Sequence, residues 1–354
     1  MTTACGLDAE AVTRGLGFDC HDVSPVVSVR PPWDLAHPTM PLLEILVIGG
    51  AVFALLHAVR RHRAGDSANL VLWWASLVYL FVIEPPLYFP EWFGLDEIYG
   101  FIFAHNQFTV QFMWDRLPLY IVAFYPMISQ LAYEVVRSLG IFRRRGPLAG
   151  AVAVAFVCQV FYEVFDHLGP QLRWWAWNPG NHVVNQPAMA SVPLQSALLF
   201  ASVSLGAMTY LAVRLAGNGR WPVRAVVAGA LTPLAMVIAG VPSSLAGTNT
   251  TAQAWVLGAE LVLVWLAGAW IIVSSRQPLD EPLPVFTRIY PACYLVVMAA
   301  FWITALPSYL SAENGITADG TPVGSGLYAL ACFAGAGLVL ATLHRVRREA
   351  PAAA

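Results

Sequence analysis

The amino-acid sequence predicts an all-α integral membrane protein that crosses the bilayer about nine times. Of its 354 residues, 58% are hydrophobic and 11% are charged, whereas a soluble domain carries about 25% charged residues. Apolar runs near the length that a helix needs to cross a bilayer recur along the chain. The arginines follow every second run. These three observations predict a polytopic helical domain.

The apolar runs define nine predicted spans. In chain order they are 41–59, 70–90, 117–136, 147–165, 193–213, 223–243, 253–274, 289–307 and 325–343. The second and third contain Pro85, Pro86 and Pro126, which membrane helices tolerate where neighbouring groups satisfy the freed carbonyls.

The positive charges predict the orientation of the chain. All 19 basic residues are arginines, and four of them (Arg14, Arg30, Arg116 and Arg173) lie before span one or after an even-numbered span. The other 15 follow the odd-numbered spans: Arg60, Arg61, Arg63, Arg137, Arg143, Arg144, Arg145, Arg214, Arg220, Arg224, Arg276, Arg288, Arg345, Arg347 and Arg348. Cytoplasmic loops are enriched in positive residues, so we expect the N-terminus outside and the C-terminus in the cytoplasm.

This orientation divides the chain into three parts. They are an extracytoplasmic segment (1–40), a single transmembrane helical domain (41–344) and a cytoplasmic tail (345–354). The exclusive use of arginine indicates GC-rich coding, so we expect a multi-pass protein of a bacterial inner membrane. The five cysteines form no CxxC motif, which argues against a zinc or redox motif. Cys5 and Cys20 are candidates for a disulfide if the N-terminal segment lies outside.

The stretch 162–196 concentrates the polar chemistry between two spans. Glu163 and His167 are four residues apart and share one face of a helix. Asp166 lies on a neighbouring face. A carboxylate beside an imidazole can relay a proton, so we predict that these three residues are catalytic. The alternative is an ordinary interfacial helix end.

Glu84 and Glu260 are two of the carboxylates that fall inside predicted spans, where a charge is costly unless it is paired or functional. Glu84 precedes the two prolines at the end of span two, and we expect it to be catalytic or to form an ion pair with Arg116 or Arg173. Glu260 lies inside span seven, where we predict a substrate contact. The alternative for Glu260 is a protonated side chain that bonds a neighbouring helix.

The loop before span three carries a third group of polar residues. His105 lies in the sequence FAHNQF, whose flanking phenylalanines predict a short interfacial or re-entrant helix. It is a candidate acid or base, although a loop histidine is more often a surface residue. Asp115 and Arg116 are candidate substrate contacts, with an ion pair or a helix N-terminal cap as the alternative.

Trp174, Trp175 and Trp177 form an aromatic cluster beside Arg173 and Asn178. Tryptophan is enriched in interfacial belts of membrane proteins. The other interpretation is an aromatic wall for an apolar substrate or a developing carbocation, which cation–π attraction stabilises. On that interpretation all five residues are candidate substrate contacts.

The segment DRLPLYIVAFYP, the acidic helix end, Gly-Pro, WWAW and the Val-Pro that opens the next span form a pattern over about 105–200. It is similar to a pattern in poorly characterised multi-span membrane proteins, and it remotely resembles the bacterial carotenoid hydratase-like membrane proteins. The resemblance implies acid-catalysed chemistry on an isoprenoid chain, with Glu163 or Asp166 as proton donor. No DDxxD sequence occurs, which argues against a diphosphate–magnesium site.

Three functions remain open from the sequence. The first is an enzyme that hydrates, cyclises or isomerises a membrane lipid or isoprenoid, with a lipid-linked glycosyltransferase as a variant of it. The second is a transporter or channel that uses Glu84 and Glu260, and the third is a non-catalytic assembly protein. We expect no organic cofactor and no nucleic-acid partner, and we assign no metal ligand. The sequence leaves the need for a metal and the oligomeric state open.

Overall fold

The computed structural model describes residues 5–31, 33, 37–106, 109–215, 219–275 and 282–348. Within these ranges nine helices are long and apolar enough to cross a membrane, which confirms the predicted number. They are α2 (Met40–Arg63), α3 (Ala68–Tyr88), α5 (Leu119–Ser138), α6 (Ile141–Asp166), the continuous pair of a π-helical turn (Ser196–Ser204) and α8 (Leu205–Leu215), α9 (Trp221–Ser244), α10 (Thr250–Ser274), α11 (Val285–Leu310) and α12 (Gly326–Arg348).

The helices α5 and α6 form the centre of the bundle. Their apolar windows are 83% and 78% buried, against 28% for α9 and α10. Gly146 breaks the helical path inside α6 with φ 82°, and Pro147 follows it. The predicted start of this span at 147 therefore coincides with the start of the straight helix. The outer helices leave large apolar side chains exposed, as lipid contact requires.

Shorter elements form one end of the bundle, which we call the loop face (5–31, 37–39, 89–106, 109–118, 167–195 and 311–325). They are α1 (Leu7–Gly15), β1 (Val27–Arg30), a 3₁₀ turn (Pro90–Phe93), α4 (Asp96–Tyr99), β2 (Phe103–His105), β3 (Thr109–Phe112), β4 (Leu117–Pro118), β5 (Trp175–Trp177), α7 (His182–Asn185), β6 (Ala188–Met189) and β7 (Val192–Pro193). The expectation of a purely helical fold is therefore correct for the spans and wrong for the loops.

Strand pairing explains two differences from the predicted boundaries. Phe103–His105 pairs antiparallel with Trp175–Trp177, so the expected helix at FAHNQF is wrong for 103–105. The rest of that motif, 107–108, lies outside the described residues. Val192–Pro193 pairs with Ala188–Met189, which delays the fifth span from the predicted 193 to Ser196.

A sheet joins the N-terminal segment to the other loops of the loop face, and a disulfide cross-links the segment internally. The strand order is β1-β3-β4, so the segment before the first span and the loop before α5 lie at the same end of the bundle. Cys5 and Cys20 form a disulfide within this segment.

The opposite end of the bundle is formed by 64–67, 139–140, 219–220 and 282–284, and we call it the arginine face. The ends of the adjoining helices contain a buried polar network. Glu134 is fully buried and accepts hydrogen bonds from Arg137 Nε at 2.7 Å and Nη2 at 2.8 Å. It also accepts from Asn69 at 2.7 Å, and His57 Nε2 lies 3.2 Å from its Oε2. This network joins α2, α3 and α5 through polar contacts that the local sequence pattern does not predict.

Candidate functional site

A cavity of about 380 Å³ lies where α3, α5, α6 and α9 approach the loop face. We call it the aromatic cavity. The apolar aromatic rings in its lining are those of Phe103, Phe124, Phe165, Trp175, Trp177 and Phe200. Its polar lining residues are Glu84, Tyr99, His105, Tyr125, Tyr162, Asp166, Gln195 and Ser196. Apolar cavities of this size with a few convergent polar groups are typical ligand sites.

The cavity opens between a short loop helix and a membrane helix. Val183 of α7 is 59% exposed and Val237 of α9 is 65% exposed, and both line it. Val237 lies in a span, where exposed side chains face lipid. This edge of the cavity therefore lies at the apolar outer surface of the helix bundle.

Glu84 reaches the cavity from the last turns of α3 and is 6% exposed. Its Oε1 accepts a hydrogen bond from the phenol of Tyr125 on α5. The expected partners of Glu84, Arg116 and Arg173, are not its partners in the structure. Arg116 instead packs 4.9 Å from the ring centre of Phe101, so a phenol donor takes the place of the expected ion pair.

Asp166 approaches the same cavity from the end of α6 and is 4% exposed. Ser196, the first residue of the following span, lies within interaction range of its carboxyl. The Oδ2 atom of Asp166 has no hydrogen-bond partner among the described residues. Tyr162, one helical turn earlier, lines the cavity beside it, so Asp166 is the acidic group of α6 that a substrate can meet.

Glu163 and His167 lie together behind the cavity wall, as their spacing predicts. Both are fully buried, and His167 Nε2 is 3.4 Å from Glu163 Oε2. The backbone N–H of Ser325 donates to His167 Nδ1 at 3.1 Å. Nδ1 therefore carries a lone pair, and the proton of the neutral ring lies on Nε2, towards Glu163. Burial lowers the pKa of His167 to about 4, which favours this neutral ring.

The structure therefore separates the three acid and base candidates of α6. Asp166 lines the cavity, whereas the Glu163–His167 pair faces α12 through Tyr328, whose ring centre lies 5.4 Å from that of His167. Glu163 interacts electrostatically with Asp166. Glu163 and His167 therefore do not line the aromatic cavity, and their catalytic role stays a prediction.

His105 lines the cavity from β2. Tyr120 donates its hydroxyl to the carbonyl of Trp174 at 3.0 Å, so the 3.1 Å contact between Tyr120 and His105 Nδ1 requires a proton on Nδ1. The lone pair is then on Nε2. Burial lowers the pKa of His105 to about 3. This imidazole is a weak base that suits hydrogen-bond acceptance better than proton abstraction.

The three tryptophans have different positions. Trp175 and Trp177 line the cavity. Trp174 is fully buried, packs 5.3 Å from the ring centre of Phe165, and donates Nε1–H to Thr39 at 2.9 Å. Trp175 and Trp177 therefore form the aromatic wall that the sequence suggests, and Trp174 supports that wall from behind.

Five other candidate contacts do not line the aromatic cavity. Arg173 donates to the carbonyl of Asp319 at 3.2 Å. Asn178 joins the loops through Asp8 and the carbonyl of Phe101. Glu260 is half-buried on α10.

The other two, Asp115 and Arg116, lie in the tight turn between β3 and β4, where Asp115 has φ 57° and accepts a hydrogen bond from Ser28. The N-terminal cap of α5 is instead Pro118, so the expected cap role is wrong.

Sequence reasoning missed Tyr125, Tyr162 and Ser196 as cavity residues. The two tyrosines are polar residues inside apolar runs, which is a usable signal. Tyr162 precedes Glu163 in the chain, and Tyr125 contacts Glu84 in the structure. Ser196 gives no local signal, since serine is common at helix starts.

In the part of the chain that the structure describes, one group of side chains has the donor atoms of a metal site. It consists of Cys5, Asp19, Cys20 and His21, whose donor atoms lie within 4.8 Å of one another. The two cysteines are already joined to each other, and none of the four lines the aromatic cavity.

No protein-family model, no curated protein and no solved structure matches this chain.

Proposed function

We propose that this protein is an integral-membrane enzyme that performs acid–base chemistry on an isoprenoid or another apolar lipid. One observation carries the proposal. Glu84 and Asp166 come from different helices and are the two carboxyl groups that line a single, predominantly apolar cavity. Two carboxyls in such surroundings provide a proton donor and a proton acceptor on a substrate that the cavity can hold.

The proposed reaction begins with a proton from Asp166. The proton forms a C–H bond with one carbon of an alkene, and the other carbon becomes cationic. The rings of Trp175, Trp177 and Phe165 stabilise this cation through their faces. In hydration, water then forms the C–O bond and gives its proton to Glu84. In cyclisation or isomerisation, the cation is attacked by a second double bond or loses a proton from a neighbouring carbon to Glu84.

The hydrogen bond from Tyr125 keeps the Glu84 carboxyl oriented towards the cavity. The Glu163–His167 pair lies next to Asp166 and outside the cavity, where it can return a proton between turnovers. The resemblance of 105–200 to carotenoid hydratase-like membrane proteins agrees with this chemistry and stays a prediction.

We further propose that the loop face is extracytoplasmic and that the membrane is the bacterial inner membrane. The arginine distribution supports this orientation, as does the Cys5–Cys20 disulfide, since disulfides persist in oxidising compartments. A fluorescent protein fused after residue 354 tests it, because green fluorescent protein folds in the cytoplasm. Fluorescence supports the orientation. Activity of an alkaline phosphatase fusion at the same place, without fluorescence of the first fusion, contradicts it.

Deuterium incorporation tests the enzymatic proposal, because all three reactions place a solvent-exchangeable proton on carbon. Purified protein is incubated in D₂O with membrane lipid extract, and the apolar lipids are analysed by mass spectrometry. We expect carbon-bound deuterium in a specific apolar lipid with the wild type, and little with Asp166→Asn or Glu84→Gln. Glu260→Gln is the matched control, a membrane carboxyl outside the cavity. Equal incorporation by all four proteins, or none by the wild type, contradicts the proposal.

A further inference from the structure

A second pocket, of about 520 Å³, lies on the loop face near the ends of α2, α6 and α11. We call it the polar pocket. Its lining contrasts with that of the aromatic cavity, because hydroxyl, amide and charged side chains dominate it. Arg173 lines the polar pocket, and Trp175 lines the aromatic cavity. Trp174, which lies between these two residues in the chain, is buried and separates the two sites.

Two opposite charges line the polar pocket without neutralising each other. The Arg173 guanidinium donates to the backbone carbonyl of Asp319 at 3.2 Å, and among the described residues the side chains of Arg173 and Asp319 form no ion pair with each other. His37 adds no second positive charge near neutral pH, because burial and the nearby Arg173 lower its pKa. The pocket therefore presents one positive and one negative group to a ligand.

The other polar side chains are already held in place. Gln171 is 5% exposed and its amide nitrogen donates to Ala305 O and Ser308 Oγ, each at 2.9 Å. Thr317 and Thr321 share a hydrogen bond of 2.8 Å. Arg173 itself has a φ of 55°, a conformation that is uncommon for residues other than glycine. These hydrogen bonds order the floor of the pocket. The two charges and the buried Gln171 Oε1, which has no hydrogen-bond partner among the described residues, remain available for recognition.

A bilayer centred on an upright α11 places the pocket at the level of the headgroups. The helix α11 has 26 residues and is therefore about 39 Å long at about 1.5 Å per residue. A hydrocarbon core of about 30 Å leaves roughly three residues of such a helix at each end beyond the core. Ser308 lies in this zone, and Thr304 lies one turn deeper with its side chain exposed, so the pocket borders the lipid.

We propose that the polar pocket binds the phosphoethanolamine group of a membrane phospholipid. A guanidinium is the side chain best suited to phosphate oxygens, and the Asp319 carboxylate accepts hydrogen bonds from the ammonium. A zwitterionic ligand satisfies both charges, whereas a simple anion leaves Asp319 beside a second negative charge. The site is separate from the aromatic cavity and does not depend on the function proposed for it.

The test measures lipid retention by the full chain. Protein is reconstituted in nanodiscs of phosphatidylglycerol with minor, equal amounts of phosphatidylethanolamine and phosphatidylcholine, and retained lipids are counted by native mass spectrometry. We expect selective retention of phosphatidylethanolamine over phosphatidylcholine, whose ammonium has no N–H to donate. Arg173→Gln and Asp319→Asn should each lower this retention roughly tenfold, as expected for the loss of a charge-assisted contact.

The controls are Arg14→Gln and Asp96→Asn, which remove exposed charges of the same loop face outside the pocket. Titration with free phosphoethanolamine separates the two sources of this chemistry. Displacement of the lipid shows that the headgroup suffices, and resistance to displacement shows that the acyl chains also contribute. Equal retention of phosphatidylethanolamine and phosphatidylcholine by the wild type overturns the proposal. Unchanged retention in monodisperse Arg173→Gln and Asp319→Asn variants also overturns it.

Discussion

The phenol of Tyr125 donates a hydrogen bond to the Glu84 carboxylate across the boundary between α5 and α3. The two residues are 41 positions apart, and Glu84 is buried at the edge of the aromatic cavity. A buried carboxyl needs a partner to hold one orientation. Tyr125 supplies that partner and itself lines the cavity. The packing of α5 on α3 therefore sets the orientation of Glu84, the proton acceptor in the proposed reaction.

Replacing Tyr125 by phenylalanine should therefore slow the proposed reaction without unfolding the protein. The ring is kept, and the donor to Glu84 is lost. A hydrogen bond to a charged group contributes about 1.5–3 kcal/mol, so the rate of deuterium incorporation in D₂O should fall by roughly tenfold or more. Tyr133→Phe is the control, since Tyr133 lies on the same helix outside the cavity. An unchanged rate in Tyr125→Phe means that Glu84 does not need this contact.

The contrast between Glu84 and the α6 residues shows what the sequence can predict. Glu163 and His167 meet because a spacing of four residues fixes neighbours on a helix. The nine spans follow from local apolar runs. Each of these predictions depends on residues that are close in the chain.

The contacts that the sequence could not predict join residues that are distant from each other in the chain. Glu84 meets Tyr125 rather than an arginine because the packing of α3 on α5 decides which side chain is near. His105 lies in a strand because Trp175–Trp177 offers backbone pairing, and no local pattern encodes that partner. The separation of Asp166 from Glu163 depends on which side of α6 each neighbouring helix covers.

Glu134 provides a prediction about stability. Its carboxylate accepts from Arg137 and Asn69 and contacts His57 in a fully buried position. Breaking a buried ion pair by removing one partner costs about 3–5 kcal/mol. We expect Glu134→Gln to lower the thermal unfolding midpoint in detergent by several degrees. Glu97→Gln, which removes an exposed carboxylate of the loop face, should leave the midpoint unchanged, and an equal effect of both changes would refute the network's role.

Two buried histidines predict how stability depends on pH. Burial lowers the pKa of His105 to about 3 and that of His167 to about 4. Below an ordinary histidine pKa of about 6.5 the unfolded chain binds protons that the folded chain does not. The stabilising contribution is complete above that pH and is lost as the pH falls towards the two lowered values, by up to about 1.4 kcal/mol per pH unit for each histidine.

Thermal unfolding midpoints at about pH 7.5 and about pH 4.5 test this prediction. His105→Gln removes one of the two groups, so the midpoint at the lower pH minus the midpoint at the higher pH should increase relative to the same difference in the wild type. His182→Gln removes an exposed histidine and should leave the difference as it is. A difference that stays the same in His105→Gln would assign the acid sensitivity to other groups.

Close packing of α10 on the central helix α6 gives a final prediction. A Cβ atom added at Gly268 would overlap the Cβ atom of Phe156 on α6, whereas a Cβ atom at Gly258, on the same helix, meets open space. Overpacking of this kind costs about 1–3 kcal/mol. We expect Gly268→Ala to lower the thermal midpoint, while Gly258→Ala is neutral or slightly stabilising because alanine favours the helix by about 1 kcal/mol over glycine.

Both glycine variants add one methyl group to α10, so the difference between their thermal midpoints isolates the contact with Phe156. A second substitution sharpens the test. Phe156→Ala removes the ring but keeps the Cβ atom that Gly268 faces, so the clash should persist and Gly268→Ala should remain destabilising in that background. If Gly268→Ala is as neutral as Gly258→Ala, the helices α6 and α10 lie further apart than the structure places them.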